Sequence, residues 1–152
     1  MATKKQLMAL SPAEFNHALV IRFPQFFPNI KDLKQSLMAF GCEINAGWRP
    51  IVWKLTEDIE KQLEKTPVAE FEIVQVKEKF GGLRYYTSVG NDKIFKMINN
   101  AEEKSFKTCE KCGEKGSIDA RYSWILTLCT KCKRLRKKEK DAAMELYLTG
   151  VL

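Results

Sequence analysis

Four cysteines in the last third of the chain carry the clearest chemistry in the sequence. Cys109 and Cys112 are separated by two residues, and Cys129 and Cys132 repeat that spacing after 16 intervening residues. Two intervening residues let one tight turn aim both sulfurs of a pair at a single point. The segment between the pairs has room for a short hairpin that returns the second pair to the first. Such spacing falls in the range of zinc sites, and thiolates at about 2.3 Å meet the tetrahedral preference of Zn2+. Four protein thiolates leave no open coordination position, so the expected cofactor is one structural zinc ion rather than a catalytic one. Cys42, next to Phe40 and Ile44 in sequence, has no such partner and is expected to be a small buried hydrophobe.

Catalytic constellations are otherwise sparse. His17 is the only histidine, and it falls on an amphipathic helical pattern where a packing role fits better than catalysis. The sequence holds no Gly-x-Ser-x-Gly, no His-Glu-x-x-His and no phosphate-cradling glycine loop. Glu57, Asp58, Glu60 and Glu64 cluster on the polar face of one expected helix. The chain is therefore expected not to be an enzyme and to have no small-molecule substrate.

The elements that must position the cysteines can be read in order. Ser11-Pro12-Ala13-Glu14 is a helix start, with Ser11 as N-cap, Pro12 in the first turn and Glu14 reaching back. Phe15, Ala18 and Leu19 give that helix an apolar stripe, and Pro24 ends it. A second helix is expected after Asn29, with Ile30, Leu33, Leu37 and Phe40 on one face and Gly41 as its stop. A third opens at Gly47-Trp48-Arg49-Pro50, carries Ile51, Leu55, Ile59 and Leu63, and closes at Thr66-Pro67. The pattern then changes to a β-hairpin at about residues 70–88, turning at Phe80-Gly81-Gly82. Asn91 and Asp92 begin a helix to about residue 107 with Ile94, Phe95, Ile98 and Ala101 facing inward.

The fold expected from these elements is α+β. Residues 1–108 form a helical α+β domain with a central β-hairpin, and residues 109–152 form a four-cysteine zinc module with a basic C-terminal helix. Knuckle, hairpin and helix in that order suit a treble clef better than a zinc ribbon, which would return as another strand. Leu135, Ala142 and Leu146 are expected to face the core.

Charge points to partners rather than substrates. The chain carries 26 Lys and Arg against 19 Asp and Glu, a formal charge of +7. Ligating zinc through four thiolates lowers this to about +5. Seven of the cations fall within residues 131–140: Lys131, Lys133, Arg134, Arg136, Lys137, Lys138 and Lys140. Such a run could track phosphates with a steep salt dependence, or it could be a solvated face. Lys77, Lys79, Arg84 and Tyr85 surround the hairpin turn and, with Trp48, complete the candidate partner-binding set. No apolar run approaches the ~20 residues that span a bilayer, and no signal-peptide pattern follows the N-terminus. The expectation is a cytoplasmic protein with no membrane partner, in a compartment that keeps thiols reduced for metal.

Parts of the sequence resemble a group of small phage and prophage zinc-binding proteins. The matching elements are Gly47-Trp48-Arg49-Pro50, Val76 through Tyr86, Ala101-Glu102-Glu103-Lys104-Ser105, Cys109 through Gly113, and Leu128 through Cys132. The likeness spans roughly residues 43–132 and implies an origin in a mobile genetic element, not an activity. By analogy of origin and size, the resemblance implies a protein that binds and inhibits a host macromolecule, in the manner of anti-CRISPR inhibitors of RNA-guided nucleases. The expected partner is thus a host protein or nucleoprotein complex in the host cytoplasm. The alternative is a protein of phage transcription or replication that binds DNA or RNA directly.

Overall fold

Ser11 caps its helix as its sequence suggests: its hydroxyl accepts from the Glu14 N–H at 3.2 Å, and the Glu14 carboxylate accepts from the Ser11 N–H at 2.7 Å. The computed structural model describes residues 2–150. Helix α1 (Lys4–Ala9) is closed by a second capping box, Thr3 with Gln6, and α2 (Pro12–Arg22) follows it. Helix α3 (Arg49–Lys65) starts with Pro50 in its first turn and buries Ile51, Val52, Leu55, Thr56 and Ile59. Strands β1 (Ile73–Lys79) and β2 (Gly82–Thr87) pair antiparallel in a hairpin, and α4 (Asp92–Ser105) is capped by the Asn91 side chain. Strands β3 (Ser117–Asp119) and β4 (Leu126–Leu128) form a second, smaller hairpin, followed by α5 (Thr130–Leu148). The architecture is α+β, with two two-stranded antiparallel sheets among the described residues.

One apolar cluster joins α1, α2, α3, the first hairpin and α4 around Phe15, Leu19, Phe23, Trp48, Val52, Ile59, Val76, Leu83 and Ile94. Phe23 packs its edge on Trp53 at 5.5 Å, and Phe26 does the same on Phe71 at 5.3 Å. The hairpin is fixed to α4 by polar contacts as well as apolar ones. The Leu83 N–H donates to the Ser105 hydroxyl at 2.9 Å, and Arg84 pairs with Glu102 at 2.5 Å.

The helix expected over residues 30–40 does not form. That segment is a series of turns ending in a single 3-10 turn, Met38–Phe40, and Leu33, Leu37 and Phe40 are exposed. Two competing demands explain this. Asp32 and Ser36 bind their own backbone, accepting from the Lys34 N–H at 3.0 Å and the Met38 N–H at 3.2 Å, which is how short polar side chains divert a chain from helix. The outer edge of β1 also needs partners. The Leu37 and Glu43 N–H groups donate to the Val74 and Val76 carbonyls at 2.8 and 2.9 Å, and the Glu78 N–H donates back to Glu43. In α4, Ile94 and Ala101 are buried as expected, while Phe95 turns out into solvent.

The Gly47-Trp48-Arg49-Pro50 segment is the seat of the cysteine module. A Cβ built on Gly47 would lie 2.2 Å from the Cys109 carbonyl oxygen and 2.6 Å from the Gly113 nitrogen. Only glycine lets the two backbones approach this closely. Here the Gly47 N–H donates to the Glu110 carbonyl at 2.7 Å, and the Trp48 indole N–H donates to the Thr108 carbonyl at 2.8 Å. Arg49 is buried and donates to the Met8 and Leu10 carbonyls, closing the end of α1. Gly47→Ala is expected to cost about 2–3 kcal/mol, as overpacking against a rigid neighbour does, and to weaken metal retention in parallel. Chemical denaturation followed alongside metal content checks both effects.

Candidate metal centre and its surroundings

Each cysteine pair sits where local backbone chemistry places it. The first occupies a tight turn in which the Gly113 N–H donates to the Cys109 carbonyl at 2.8 Å. Gly113 has φ +72°, a conformation that favours glycine. The second pair starts α5: Cys129 is the N-cap, its sulfur accepting from the Cys132 N–H at 3.4 Å, and Cys132 lies in the first turn. The positive end of the helix dipole therefore faces the sulfurs. All four Sγ atoms lie within 4.8 Å of one another, and Cys112 and Cys129 are 3.6 Å apart. A tetrahedral thiolate site has edges of about 3.8 Å, so the four side chains can hold a metal ion. Cys109 and Cys132 are buried, and Cys112 and Cys129 are half-buried.

Hydrogen bonding to the Cys132 N–H lowers the Cys129 thiol to about 7, while burial pushes Cys112 and Cys132 up. Cys42 lies away from this cluster and is buried, which raises its thiol to about 12. It is an inert packing group, as expected.

The surroundings tie the centre to the rest of the chain. Glu110 donates its N–H to the Thr127 carbonyl at 3.0 Å, and the Thr127 hydroxyl donates to the Gly81 carbonyl at 2.6 Å. The Glu110 side chain is fully buried and accepts from Asn45 at 3.1 Å, and burial raises its carboxyl to about 7. Lys4 reaches from α1 to the Gly113 carbonyl at 2.8 Å. On the far side, Asp119 is the hub. Its carboxylate accepts from Arg121 at 2.7 and 2.9 Å and from Arg136 at 3.1 Å, while Arg136 also donates to the Trp124 carbonyl. The Arg121 contact chiefly holds Asp119 down at about 2.

The candidate partner-binding residues divide sharply. Trp48 (0% exposed), Tyr85 (4%) and Arg136 (5%) belong to the interior and not to a surface. Trp48 fills the core, the Tyr85 hydroxyl bonds Thr56 at 3.0 Å, and Arg136 holds Asp119. Arg84 is occupied by Glu102, Lys133 by the Ser117 hydroxyl at 2.6 Å, and Lys137 by Asp141 at 2.5 Å. Lys77 lies half-buried with its ammonium 5.8 Å from the Tyr86 ring centre. Lys79, Lys131, Arg134, Lys138 and Lys140 are exposed. The expected inward face of α5 is absent: Leu135 is exposed, and every residue from Lys137 to Gly150, Ala142 and Leu146 included, lies in solvent. The helix runs off the body instead of packing along it.

Asp119, Arg121 and Tyr122 escaped sequence reasoning. The alternation of Asp119 with Arg121 is a visible signal, but its partner Arg136 lies in a run of seven cations whose composition does not single out one buried member. No helix among the described residues is long and apolar enough to cross a membrane. No family model, curated protein or solved structure matches the chain.

Cys109→Ser is expected to abolish stoichiometric metal uptake and to melt the small hairpin with α5. Metal content and far-UV circular dichroism read the two effects, and a variant that stayed folded and metal-replete would remove the metal's role as a staple. Asp119 has a folded-state pKa of about 2 against an ordinary 3.8. Its stabilisation is therefore complete above the ordinary value and is lost as pH falls from about 4 towards about 2. Asp119→Asn is expected to cost about 2 kcal/mol or more at neutral pH, because Arg136 is left buried without its charge partner. The same change should flatten the acid limb of the stability profile over that window, as measured by denaturation at stepped pH.

Proposed function

We propose that this chain is a non-enzymatic binding protein, stapled by one structural zinc ion in a treble-clef-like module, that inhibits a host nucleic-acid-handling complex. The observation that carries the reading is the exposed half of α5. Beyond Arg136 the helix extends about 18 Å at 1.5 Å per residue, with every residue exposed. Its root is basic, with Lys137, Lys138 and Lys140, and its tip is apolar, with Met144, Leu146, Tyr147 and Leu148 all exposed. A helix that holds four large apolar side chains in water has the character of a surface meant to be covered. The basic root steers the approach to an anionic partner, and the apolar tip supplies contact area once docked.

An all-thiolate ligand set suits zinc and leaves no position for a substrate. Cys109, Cys112, Cys129 and Cys132 would hold the ion, which would supply folding energy and no reaction step. The likeness of residues 43–132 to small phage and prophage proteins supports placing the partner in a host cell. RNA-guided nucleases of host defence, with their large protein and nucleic-acid surfaces, fit a positively charged occluding protein of this size.

Affinity capture from host lysate, with and without nuclease, tests the reading against direct nucleic-acid binding. A stoichiometric host protein that survives nuclease, and is lost from a Tyr147→Ala/Leu148→Ala variant that keeps its metal, is the expected result. Capture that vanishes with nuclease would overturn it in favour of the direct binder.

A further inference from the structure

Two large rings stand in solvent where the first hairpin meets the β3–β4 unit. Phe80, at the tip of the first hairpin, is 66% exposed, and Trp124, in the β3–β4 loop, is 67% exposed. Both line one narrow cleft of about 170 Å3, together with Glu78, Lys79, Ser123 and Ile125.

Phe80 occupies a costly position. It and Gly81 form the two-residue turn between the paired Lys79 and Gly82, with φ of +53° and +79°. Positive φ at both central residues is the turn that favours Asn-Gly or Gly-Gly in hairpins. A bulky aromatic in the left-handed region is an outlier, and this one gains no burial in return. Backbone strain combined with exposure of a ring points to a role outside the fold.

The two rings are also held on stiff supports. A Cβ on Gly81 would fall within 3.3 Å of Ile118, Ile125 and Leu126, so the hairpin tip lies directly on the β3–β4 unit. The Thr127 hydroxyl bonds the Gly81 carbonyl, and Arg136 ties the Trp124 carbonyl to α5. The separation of the two supports is thereby set before any ligand arrives.

The surrounding charge is positive. Lys79 lies 5.6 Å from the Phe80 ring centre, and Arg121, Arg136 and Lys140 surround the Tyr122 ring at 5.6, 4.8 and 5.7 Å. Against them stand Glu78, whose carboxylate accepts from the Gly81 N–H at 2.7 Å, and Asp119, which is already shared by two guanidiniums.

We propose that Phe80 and Trp124 form a base-stacking cleft for single-stranded nucleic acid, with the exposed Lys79 and Lys140 placed for its phosphates. Flat rings on rigid supports beside the exposed ammonium groups of Lys79 and Lys140 are the two parts such recognition requires. A duplex keeps its bases stacked inward and cannot offer them to the rings. The cleft uses neither the apolar tip of α5 nor a host protein, and shares only Lys140 with the helix's basic root.

The test uses the zinc-loaded full chain, a short oligothymidylate or oligouridylate, and a duplex of matched length. Trp48 and Trp53 are buried, so quenching of intrinsic fluorescence reports on Trp124. Quenching by the single strands, weakened steeply between about 50 and 200 mM salt, is expected. Trp124→Ala should weaken binding roughly tenfold, with Trp124→Phe restoring most of it by fluorescence anisotropy of a labelled strand. Phe80→Asn should also weaken binding roughly tenfold while leaving the melting temperature unchanged or higher, since Asn-Gly suits the turn. A merely structural ring would show the reverse, loss of stability with binding intact. Absence of single-strand binding, duplex binding of equal strength, or indifference to both substitutions would overturn the proposal. Capture of a protein that requires both rings, with no oligonucleotide bound, would likewise overturn it and assign the cleft to protein docking.

Discussion

The close approach of the Cys109–Gly113 turn to Gly47 is the contact on which the remaining architecture depends. Two backbones meet there with no room for a methyl group. The hydrogen bonds from Gly47 to Glu110 and from Trp48 to Thr108 then make the turn part of the main core. From Glu110 the chain of bonds continues through Thr127 to Gly81 at the hairpin tip. A metal held between the two cysteine pairs would close a loop that already runs through α3, β1 and β2. Binding energy at the sulfurs becomes folding energy for the whole junction.

Charge is arranged to match. Four thiolates around a divalent ion would leave a negative centre, and Glu110, next to Cys109 in the chain, is buried and raised to about 7, so it adds less negative charge than an ordinary glutamate would. Cations approach from the outside: Lys4 at the first turn and the N-terminus of α5 at the second pair. Further out, Asp119 takes two of the module's guanidiniums into an internal pair, while Lys131, Lys138 and Lys140 of α5 remain in solvent. The positive surface of the protein is what is left after these internal neutralisations.

Much of this was legible in sequence because the signals are local. A capping box at Ser11, a proline at the start of α3, a glycine turn at residues 80–82 and two Cys-x-x-Cys pairs each act within a few residues, and each stands where its spacing places it. The failures are non-local. Residues 30–40 have a helical period, yet the edge of β1, more than thirty residues away, claims the Leu37 N–H, and Asp32 and Ser36 bond the local backbone. Trp48, Arg84 and Tyr85 have the composition of a binding surface, but α3, α4 and the cysteine turn cover or occupy them. The Gly-Trp-Arg-Pro and Phe-Gly-Gly-Leu-Arg-Tyr segments are distinctive because they fit the body to the module, a constraint that spacing alone could not reveal. Leu135, Ala142 and Leu146 failed differently: a helical stripe predicts that something covers a face, and within this chain nothing among the described residues does.

That last failure connects the metal to the outermost surface. A helix segment of the length that projects beyond Arg136 is marginal in water by itself, because nucleation is costly and isolated helices of under about 12–15 residues rarely persist. Here the first turn is already nucleated: Cys129 caps it, Cys132 sits within it, and Arg136 pins the next turn to Asp119 and Trp124. Propagation from a fixed first turn adds one backbone bond per residue ordered and avoids the nucleation step. The exposed tip is therefore held helical from its root, with Lys137–Asp141 adding a small increment on the surface. The cysteine pair at its root thus sets how much of the projecting helix is ordered, and the same first turns, through Arg136, fix the loop that presents Trp124.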